Sequence, residues 1–409
     1  MIIERRKLVE KLSASPAWTL VYGRRKTGKS FLLERFVDHD EYYFVKQDKA
    51  VLAKKAGKTL AYDAFLERLE ADLTAKKTVV VDEFHRLGPD FADRLHGLKK
   101  QGRLILVSST LNLARSWFSP HSALLGFFQE IQVGLIDLDD ALEATKKLGL
   151  DAKSRVELAV LLREPLAAQY VQPDSHARKL FTQVLEGSLR TIPALVGEIF
   201  AEEQRGISAV YEGILRAVAN GKAVSGEISS ALFSRKLIAK DDPSLIQQYL
   251  NNLISFGILK RIAVYGKNRF MYRHASALSW MFYYADEKYN ASEGISENAL
   301  EGIVENVLPR IMEDVLREYI AQKKGLQQTV IQGADFDVDA CLLKFKKPVL
   351  AVEIKWKKID SKDVRDAEKN LGHVPGVEKW LFVPDKTNAP ESTEVKLVDM
   401  TDLGDAMDP

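Results

Sequence analysis

The sequence predicts an α/β protein of three parts, and three observations indicate that fold class. Residues 18–137 alternate short apolar runs with stretches of helical periodicity, which is the pattern of βαβ units on a parallel sheet. Residues 138–289 have a mainly helical pattern, and strand-like apolar runs return between residues 329 and 383. We therefore predict three domains, at residues 1–137, 138–289 and 290–409.

Length and composition are those of a globular protein that needs no disulfides. The chain has 409 residues, of which 46% are hydrophobic and 28% charged, and this excludes a disordered or fibrous protein. At about 150 residues per domain, the length accommodates two or three domains. The single cysteine, Cys341, excludes an intramolecular disulfide and a thiolate zinc site, which suits a reducing compartment.

Charge and hydropathy limit the classes of partner. Lysine and arginine together number 59 against 57 aspartates and glutamates, so any surface that binds nucleic acid must be local. No apolar run approaches the roughly 18 residues that a membrane span needs. We therefore expect a cytoplasmic protein without a membrane partner.

The middle region contains the pattern of a winged helix. Helices are predicted at residues 210–220, 225–234 and 243–256, with Asp242 as the N-cap of the third, and a hairpin follows at residues 258–265 and 269–272. The third helix of a winged helix often contacts DNA, but residues 244–253 contain no lysine or arginine. We therefore favour a lid or interaction module over a reader of DNA sequence.

A glycine-rich loop near the N-terminus has the pattern of a phosphate-binding loop. Residues 23–30 fit G-x-x-x-x-G-K-[ST], with an apolar strand before them and an amphipathic helix after them. Backbone N–H groups and the helix N-terminus would surround the phosphates, Lys29 would contact the β- and γ-phosphates, and the Ser30 hydroxyl would bind Mg²⁺. The predicted ATP-binding residues are Gly23, Arg24, Arg25, Lys26, Thr27, Gly28, Lys29 and Ser30.

Two later strands supply the rest of a nucleotide site. The apolar run at residues 79–81 ends in Asp82, a predicted Mg²⁺ ligand, and Glu83, a predicted catalytic base that would polarise the attacking water. The next strand ends in Ser108 and Ser109, whose hydroxyls would sense the γ-phosphate or hold the water. Small polar residues that simply end a strand are the equally weighted alternative for this pair.

Carboxylates cluster in the C-terminal region with the spacing of strands. Asp335, Asp337 and Asp339 alternate, so in a strand they project to one face, and Glu353 and Lys355 share a face in the same way. Carboxylates on neighbouring strands can hold Mg²⁺, and a nearby ammonium can position a water that attacks phosphate. A solvated face with ion pairs is the alternative, and spacing alone favours it. A basic and aromatic group surrounds these residues: Lys344, Lys346, Lys347, Lys355, Trp356, Lys357, Lys358 and Lys362.

The order of these motifs resembles archaeal-type P-loop ATPases of the AAA+/STAND-related class that carry a C-terminal domain similar to PD-(D/E)XK nucleases. The resemblance covers nearly the whole chain, and its segments are residues 3–8, 23–30, 82–84, 108–109, 192–194, 253–261 and 272–284. It implies a C-terminal restriction-endonuclease-like α/β domain. It also implies metal binding by Glu313, Asp337 and Glu353, with Lys355 as a catalytic residue.

One departure from the family pattern concerns a charge. Family members have an arginine after the glycine of a Leu-Tyr-Gly-Arg segment, whereas here Gly126 is followed by Phe127. If that arginine neutralises charge in the transition state, another residue must replace it. Arg115 and Arg86 are the candidates.

Our leading hypothesis is an Mg²⁺-dependent ATPase whose nucleotide state controls a nuclease-like domain acting on DNA. The alternative is a nucleotide-dependent interaction switch, in which the C-terminal domain binds nucleic acid or a partner without cleavage. A winged-helix regulator is a third interpretation, and the uncharged third helix argues against it. The expected partners are ATP or ADP, DNA, and further copies of this chain, since many related ATPases complete their sites between subunits.

Overall fold

The computed structural model describes residues 1–15, 18–88, 90–109, 124–172, 176–202 and 208–404. The chain divides into two compact units. The first unit consists of Ile2–Asp140 and Leu195–Gly206, and the second of Met1, Ala141–Ala194 and Ile207–Pro409. No helix within the described ranges is long and apolar enough to cross a membrane.

The first unit is built on a seven-stranded sheet. Its strands, in chain order, are β1 (Thr19–Tyr22), β2 (Glu41–Val45), β3 (Val51–Ala53), β4 (Lys58–Leu60), β5 (Thr78–Asp82), β6 (Arg103–Ser108) and β7 (Gln129–Gln132). The order across the sheet is β4-β3-β2-β5-β6-β1-β7. The last five strands in this order, β2, β5, β6, β1 and β7, are parallel. β1, β5 and β6 coincide with predicted apolar runs, so the predicted parallel sheet is confirmed.

Helices cover this sheet because both faces of its central strands are apolar. They are α1 (Arg6–Ala14), α2 (Lys29–Phe36), α3 (Tyr62–Thr74) and α4 (Asp90–Gly97), and a short 3₁₀ turn occupies Phe84–Arg86. On β5, Val79 and Val81 pack into one core and Val80 into another. The carboxyl ends of parallel strands meet at one edge of a sheet, which brings the residues after β1, β5 and β6 together.

The second unit begins with helices and a hairpin. In chain order they are α5 (Leu138–Thr145), α6 (Ala152–Leu162), α7 (Ala177–Gly187), α8 (Thr191–Glu202), α9 (Ala209–Ala219), α10 (Ser225–Ser234), α11 (Gln247–Ser255), β8 (Leu259–Val264), β9 (Phe270–His274) and α12 (Ala277–Tyr289). Two of these helices, α5 and α8, contain residues assigned to both units. A 3₁₀ turn at Pro243–Ile246 precedes α11, and the carboxylate of Asp242 caps it by accepting from the Ser244 N–H at 2.8 Å. The three helices and the hairpin lie where the sequence predicts them, while their identity as a winged helix stays a prediction.

The C-terminal elements form a second seven-stranded sheet. The long helix α13 (Glu297–Lys324) is followed by β10 (Gln327–Gln332), β11 (Asp337–Lys344), β12 (Lys347–Ile354), α14 (Ser361–Gly372), β13 (Glu378–Phe382) and β14 (Lys396–Val398). The strand order is β14-β13-β12-β11-β10-β8-β9, so the β8–β9 hairpin belongs to the same sheet. The predicted boundary between residues 289 and 290 falls between α12 and α13, but the sheet spans both predicted domains.

The buried carboxylate of Glu157 connects α6 to α7 and to the residues that follow β12. Glu157 is 2% exposed and accepts hydrogen bonds from Trp356 Nε1 at 3.0 Å and Arg178 Nη2 at 2.8 Å. Trp356 directly follows Lys355, so this bond holds the chain next to a predicted catalytic residue. Arg178 also contacts Glu305, whose side chain is 57% exposed.

Replacing Glu157 by alanine should destabilise the second unit strongly. The change leaves Arg178 and Trp356 without their shared acceptor, and breaking a buried pair in this way costs about 3 kcal/mol or more. Glu305→Ala is the matched control, because an exposed pair contributes about 1 kcal/mol or less. Equilibrium urea unfolding measures both variants, and equal losses would contradict this interpretation.

Candidate nucleotide site and carboxylate cluster

The loop between β1 and α2 turns tightly enough to enclose a small anion. A Cβ atom on Gly23 would lie 2.1 Å from the carbonyl oxygen of Val133, so only glycine fits there. Gly28 has a φ of 83°, a left-handed conformation that favours glycine just before α2 begins. The two glycines of the motif are therefore required by packing at Gly23 and by backbone conformation at Gly28.

Lys29 is buried inside this loop. Its ammonium donates hydrogen bonds to the carbonyls of Gly23 at 2.8 Å and Arg24 at 2.9 Å, and the residue is 5% exposed. The Thr27 hydroxyl donates to the Arg24 carbonyl at 2.9 Å. The loop thus holds a positive charge where the motif places the β- and γ-phosphates of a nucleotide.

The other predicted loop residues surround this core. Arg24 and Arg25 are half-buried and Lys26 is exposed, and Arg25 forms an ion pair with Glu198 at 3.0 Å. Arg5, which sequence reasoning did not assign to the site, donates to the carbonyls of Thr27 and Leu135 at 3.3 and 2.8 Å. The segment at residues 3–8 was the signal that could have identified it.

Ser30 and Asp82 lie together, as the sequence predicts. The Asp82 carboxylate is 1% exposed and accepts hydrogen bonds from the Tyr42 hydroxyl at 2.7 Å and from the Ser30 side chain. Burial raises the pKa of Asp82, and these hydrogen bonds oppose the rise. A hydroxyl and a carboxylate side by side form the oxygen donor set that Mg²⁺ prefers, so these residues fit that ion.

Glu83 sits beside Asp82 with three polar groups around its carboxylate. Ser109 Oγ donates to Oε2 at 3.1 Å, while His85 Nε2 and Arg86 Nη2 lie 3.3 and 3.4 Å from the same oxygen. Ser108 Oγ in turn lies 3.3 Å from His85 Nδ1. The structure therefore brings both predicted serines to the predicted base.

His85 is a residue that the sequence motifs do not identify. Burial lowers its pKa to about 4, and the charge of Arg86 adds to this effect, so the imidazole is neutral at physiological pH. Arg86, a candidate to replace the missing family arginine, also donates to the Val45 carbonyl at 2.7 Å. The other candidate, Arg115, lies outside the described residues.

In the second unit, four charged residues from three elements form a carboxylate cluster: Glu313, Asp339, Glu353 and Lys355. Asp339 Oδ2 accepts from the Ile354 N–H at 2.8 Å, and Lys355 Nζ lies 3.2 Å from Glu353 Oε2. Burial and then the charge of Asp339 raise the pKa of Glu313 to about 7 and that of Glu353 to about 8. Burial opposes protonation of Lys355, but Glu353 and Asp339 raise its pKa.

The aspartate of this cluster is Asp339 and not Asp337, the residue that the family resemblance selects. Ala340 lies opposite Val352, and this register puts Asp339 next to Glu353. Asp337 is the exposed first residue of β11, opposite Gln332. Within the described ranges, no three His, Cys, Asp or Glu side chains are grouped closely enough to hold a metal ion as they stand.

The match to a family model lies within the first unit. Residues 15–126 match a family model described as an AAA domain, which supports ATP binding and hydrolysis by the parallel-sheet domain. No curated protein matches the chain. The residues of the carboxylate cluster lie outside the matched range.

Several solved structures are similar to this chain at low sequence identity. The Aeropyrum pernix ORC1 protein in complex with DNA is 13% identical over 71% of this chain and 94% of that one, with a TM-score of 0.32. The ORC2 protein of the same organism, in ADPNP–ADP complexes, is 13% identical over 76% and 94%, with a TM-score of 0.39. A Pyrococcus horikoshii signal transduction ATPase with numerous domains (STAND), which has a tetratricopeptide repeat sensor, is 12% identical over 78% and 48%, with a TM-score of 0.31.

The depressed pKa of His85 predicts an acid sensitivity of the first unit. Between the unfolded pKa of 6.5 and the folded value of about 4, the unfolded chain binds a proton at His85 that the folded chain does not. Stability from this residue is therefore present above about pH 6.5 and lost as the pH falls toward 4, up to about 3 kcal/mol. Asp82 and Asp140 act in the opposite direction. Burial raises their pKa values, so their contribution to stability increases as the pH falls.

The difference between the wild type and His85→Gln isolates this contribution. Chemical unfolding from pH 7 to pH 4 should show that the variant loses less stability than the wild type. Parallel pH profiles for the two proteins would contradict the assignment.

Proposed function

We propose that the first unit binds ATP with Mg²⁺ and hydrolyses it, with Glu83 as the catalytic base. One observation carries this proposal: Lys29 is buried in the phosphate loop, and the Ser30 side chain on α2 contacts Asp82 at the end of β5, directly before Glu83. The AAA-domain match over residues 15–126 supports the same activity independently.

The chemistry follows from the contacts of these side chains. When ATP binds, the Lys29 ammonium replaces its hydrogen bonds to two backbone carbonyls with hydrogen bonds to phosphate oxygens. Its positive charge then stabilises the negative charge that develops on the phosphates. Ser30 and Asp82 would hold Mg²⁺, which would supply further positive charge at the phosphates. Glu83 accepts the proton of the attacking water after its contacts with Ser109 and Arg86 rearrange. We therefore expect a movement of the ends of β5 and β6 to change the rate of ATP hydrolysis.

We further propose that the carboxylate cluster cleaves the phosphodiester backbone of DNA and that nucleotide state controls it. The supporting observation is that two glutamates with raised pKa values and a lysine crowd around Asp339. Buried like charges are costly, and such clusters concentrate at functional sites. The oxygen donors suit Mg²⁺ or Mn²⁺, provided that Lys355 first separates from Glu353.

We infer that the helical region acts on this cluster, and one contact in the second unit supports this inference. Glu157 on α6 accepts from Trp356, the residue after Lys355. A shift of α6 would therefore move the end of β12, which carries Glu353 and leads into Lys355. The alternative function is a switch whose C-terminal domain binds nucleic acid or a partner without cleavage.

Two substitutions separate ATP binding from hydrolysis. Lys29→Ala should weaken ATP binding by about tenfold to a hundredfold, because hydrogen bonds to a charged group contribute about 1.5–3 kcal/mol. Glu83→Gln should retain ATP binding and lower kcat by about a hundredfold to ten-thousandfold. Calorimetry and a phosphate-release assay measure the two effects, with the exposed Lys11→Ala as control. Wild-type affinity in Lys29→Ala would refute the nucleotide site.

Cleavage should depend on Asp339 and not on Asp337. We expect Asp339→Asn to abolish cleavage of labelled DNA in Mn²⁺ and to abolish Mn²⁺ binding at the carboxylate cluster, measured by calorimetry without nucleotide. Asp337→Asn should retain both properties, and the exposed Asp335→Asn is the control. Loss in Asp337→Asn alone would reinstate Asp337 as the ligand. Absence of cleavage by the wild type, with and without ATP, would favour the switch.

A further inference from the structure

A cavity of about 490 Å³ lies beside the carboxylate cluster, within the second unit. Its lining comes from both the β8–β9 hairpin region and the C-terminal elements, and it includes Arg273 on β9, Trp280 on α12, Arg310 and Glu313 on α13, and Asp339 on β11. Three arginines, Arg273, Arg310 and Arg317, therefore line the same space as Glu313 and Asp339 of the cluster, and Asp337 lines it too.

Arg273 is a cationic side chain that the proposed functions have not used. Its Nη1 donates to the Tyr272 carbonyl at 3.1 Å, and its guanidinium lies 5.7 Å from the centre of the Trp280 ring. No ion pair joins Arg273 to a carboxylate in the described part of the chain, although the charges of Asp314 and Glu313 act on it from a longer distance. A guanidinium remains protonated at neutral pH, so a poorly solvated one without a carboxylate partner is costly unless it binds an anion.

Asp314, Arg317 and Glu227, which also line the cavity, have partners within the protein. Lys260 lies 2.6 Å from Asp314, and Arg317 also contacts that carboxylate, so Asp314 is neutralised. Glu227 accepts from the Ala223 N–H at 2.8 Å and is occupied in capping α10. Arg310 is exposed on α13, one turn before Glu313. Arg273 and Arg310 are thus the cations available to a ligand.

The hairpin is fixed in position relative to the cluster. β8 pairs with β10 in parallel, with Thr329 opposite Ala263 and Val330 opposite Val264. Arg269 Nη2 also donates to Gln332 Oε1 at 3.0 Å. This pairing holds β9, and with it Arg273, at one wall of the cavity.

We propose that Arg273 and Arg310 bind a phosphate group of a nucleic acid strand at the carboxylate cluster, so that the hairpin completes the C-terminal site. This inference rests on the proposed phosphodiester chemistry and names the residues that position its substrate. Guanidinium groups bind phosphate through paired N–H donors, and a strand offers successive phosphates along its backbone. It also gives the hairpin a role that does not require α11, which has no lysine or arginine, to contact DNA.

Binding of fluorescein-labelled single-stranded and duplex DNA, measured by anisotropy in Ca²⁺, tests the proposal without requiring cleavage. Arg310→Ala should weaken binding about threefold to tenfold and reduce the slope of log K against log salt by about 0.7–0.9. Arg273→Ala should weaken it at least as much, and Arg273→Lys should restore part of the affinity. Arg261→Ala is the matched control, because Arg261 lies exposed on the same hairpin against Phe270 and does not line the cavity.

Each outcome decides the proposal. Wild-type affinity and salt slope in Arg310→Ala and in a folded Arg273→Ala would overturn it, as would an equal loss in Arg261→Ala or no DNA binding by the wild type. Competition by a modest excess of dTMP would assign the cavity to a free nucleotide and overturn the strand proposal. Arginine-dependent DNA binding without any cleavage would refute the nuclease activity while supporting this site.

Discussion

The parallel pairing of β8 with β10 is the constraint on which the arrangement of the second unit depends. It joins a hairpin at residues 259–274 to strands that begin at residue 327, and so makes one sheet from two segments that the sequence separates. Val264 and Val330 pack in the same small core, which stabilises the junction through burial of apolar surface. Without this pairing, Arg273 would not line a cavity with Glu313 and Asp339.

Both candidate sites keep charged groups away from water and satisfy them in different ways. In the first unit, Lys29 is held by backbone carbonyls and Asp82 by two hydroxyls, so each charge has partners that a nucleotide and a cation can replace. In the second unit, burial and then the charge of Asp339 raise the pKa values of Glu313 and Glu353, so each negative charge there is costly. A bound cation would relieve this cost, which is why the cluster suits metal-dependent chemistry.

The parts of the molecule that the sequence predicts are those fixed by local pattern. The phosphate loop, Asp82 and the helices of the middle region follow from spacing within short segments, and the structure has them where they were expected. His85 could not be predicted, because its neutral state depends on burial beside strands distant in the chain. The choice of Asp339 over Asp337 depends on the register of β11 against β12, which alternation alone does not determine.

We propose that ATP bound by the first unit controls phosphodiester chemistry in the second. The most direct measurement is the rate of DNA cleavage in Mg²⁺ by the wild type and by Lys29→Ala, each with and without ATP. We expect ATP to change the cleavage rate of the wild type and to leave the cleavage rate of Lys29→Ala unchanged. Cleavage at one rate under all four conditions, or an undiminished ATP effect in Lys29→Ala, would contradict it.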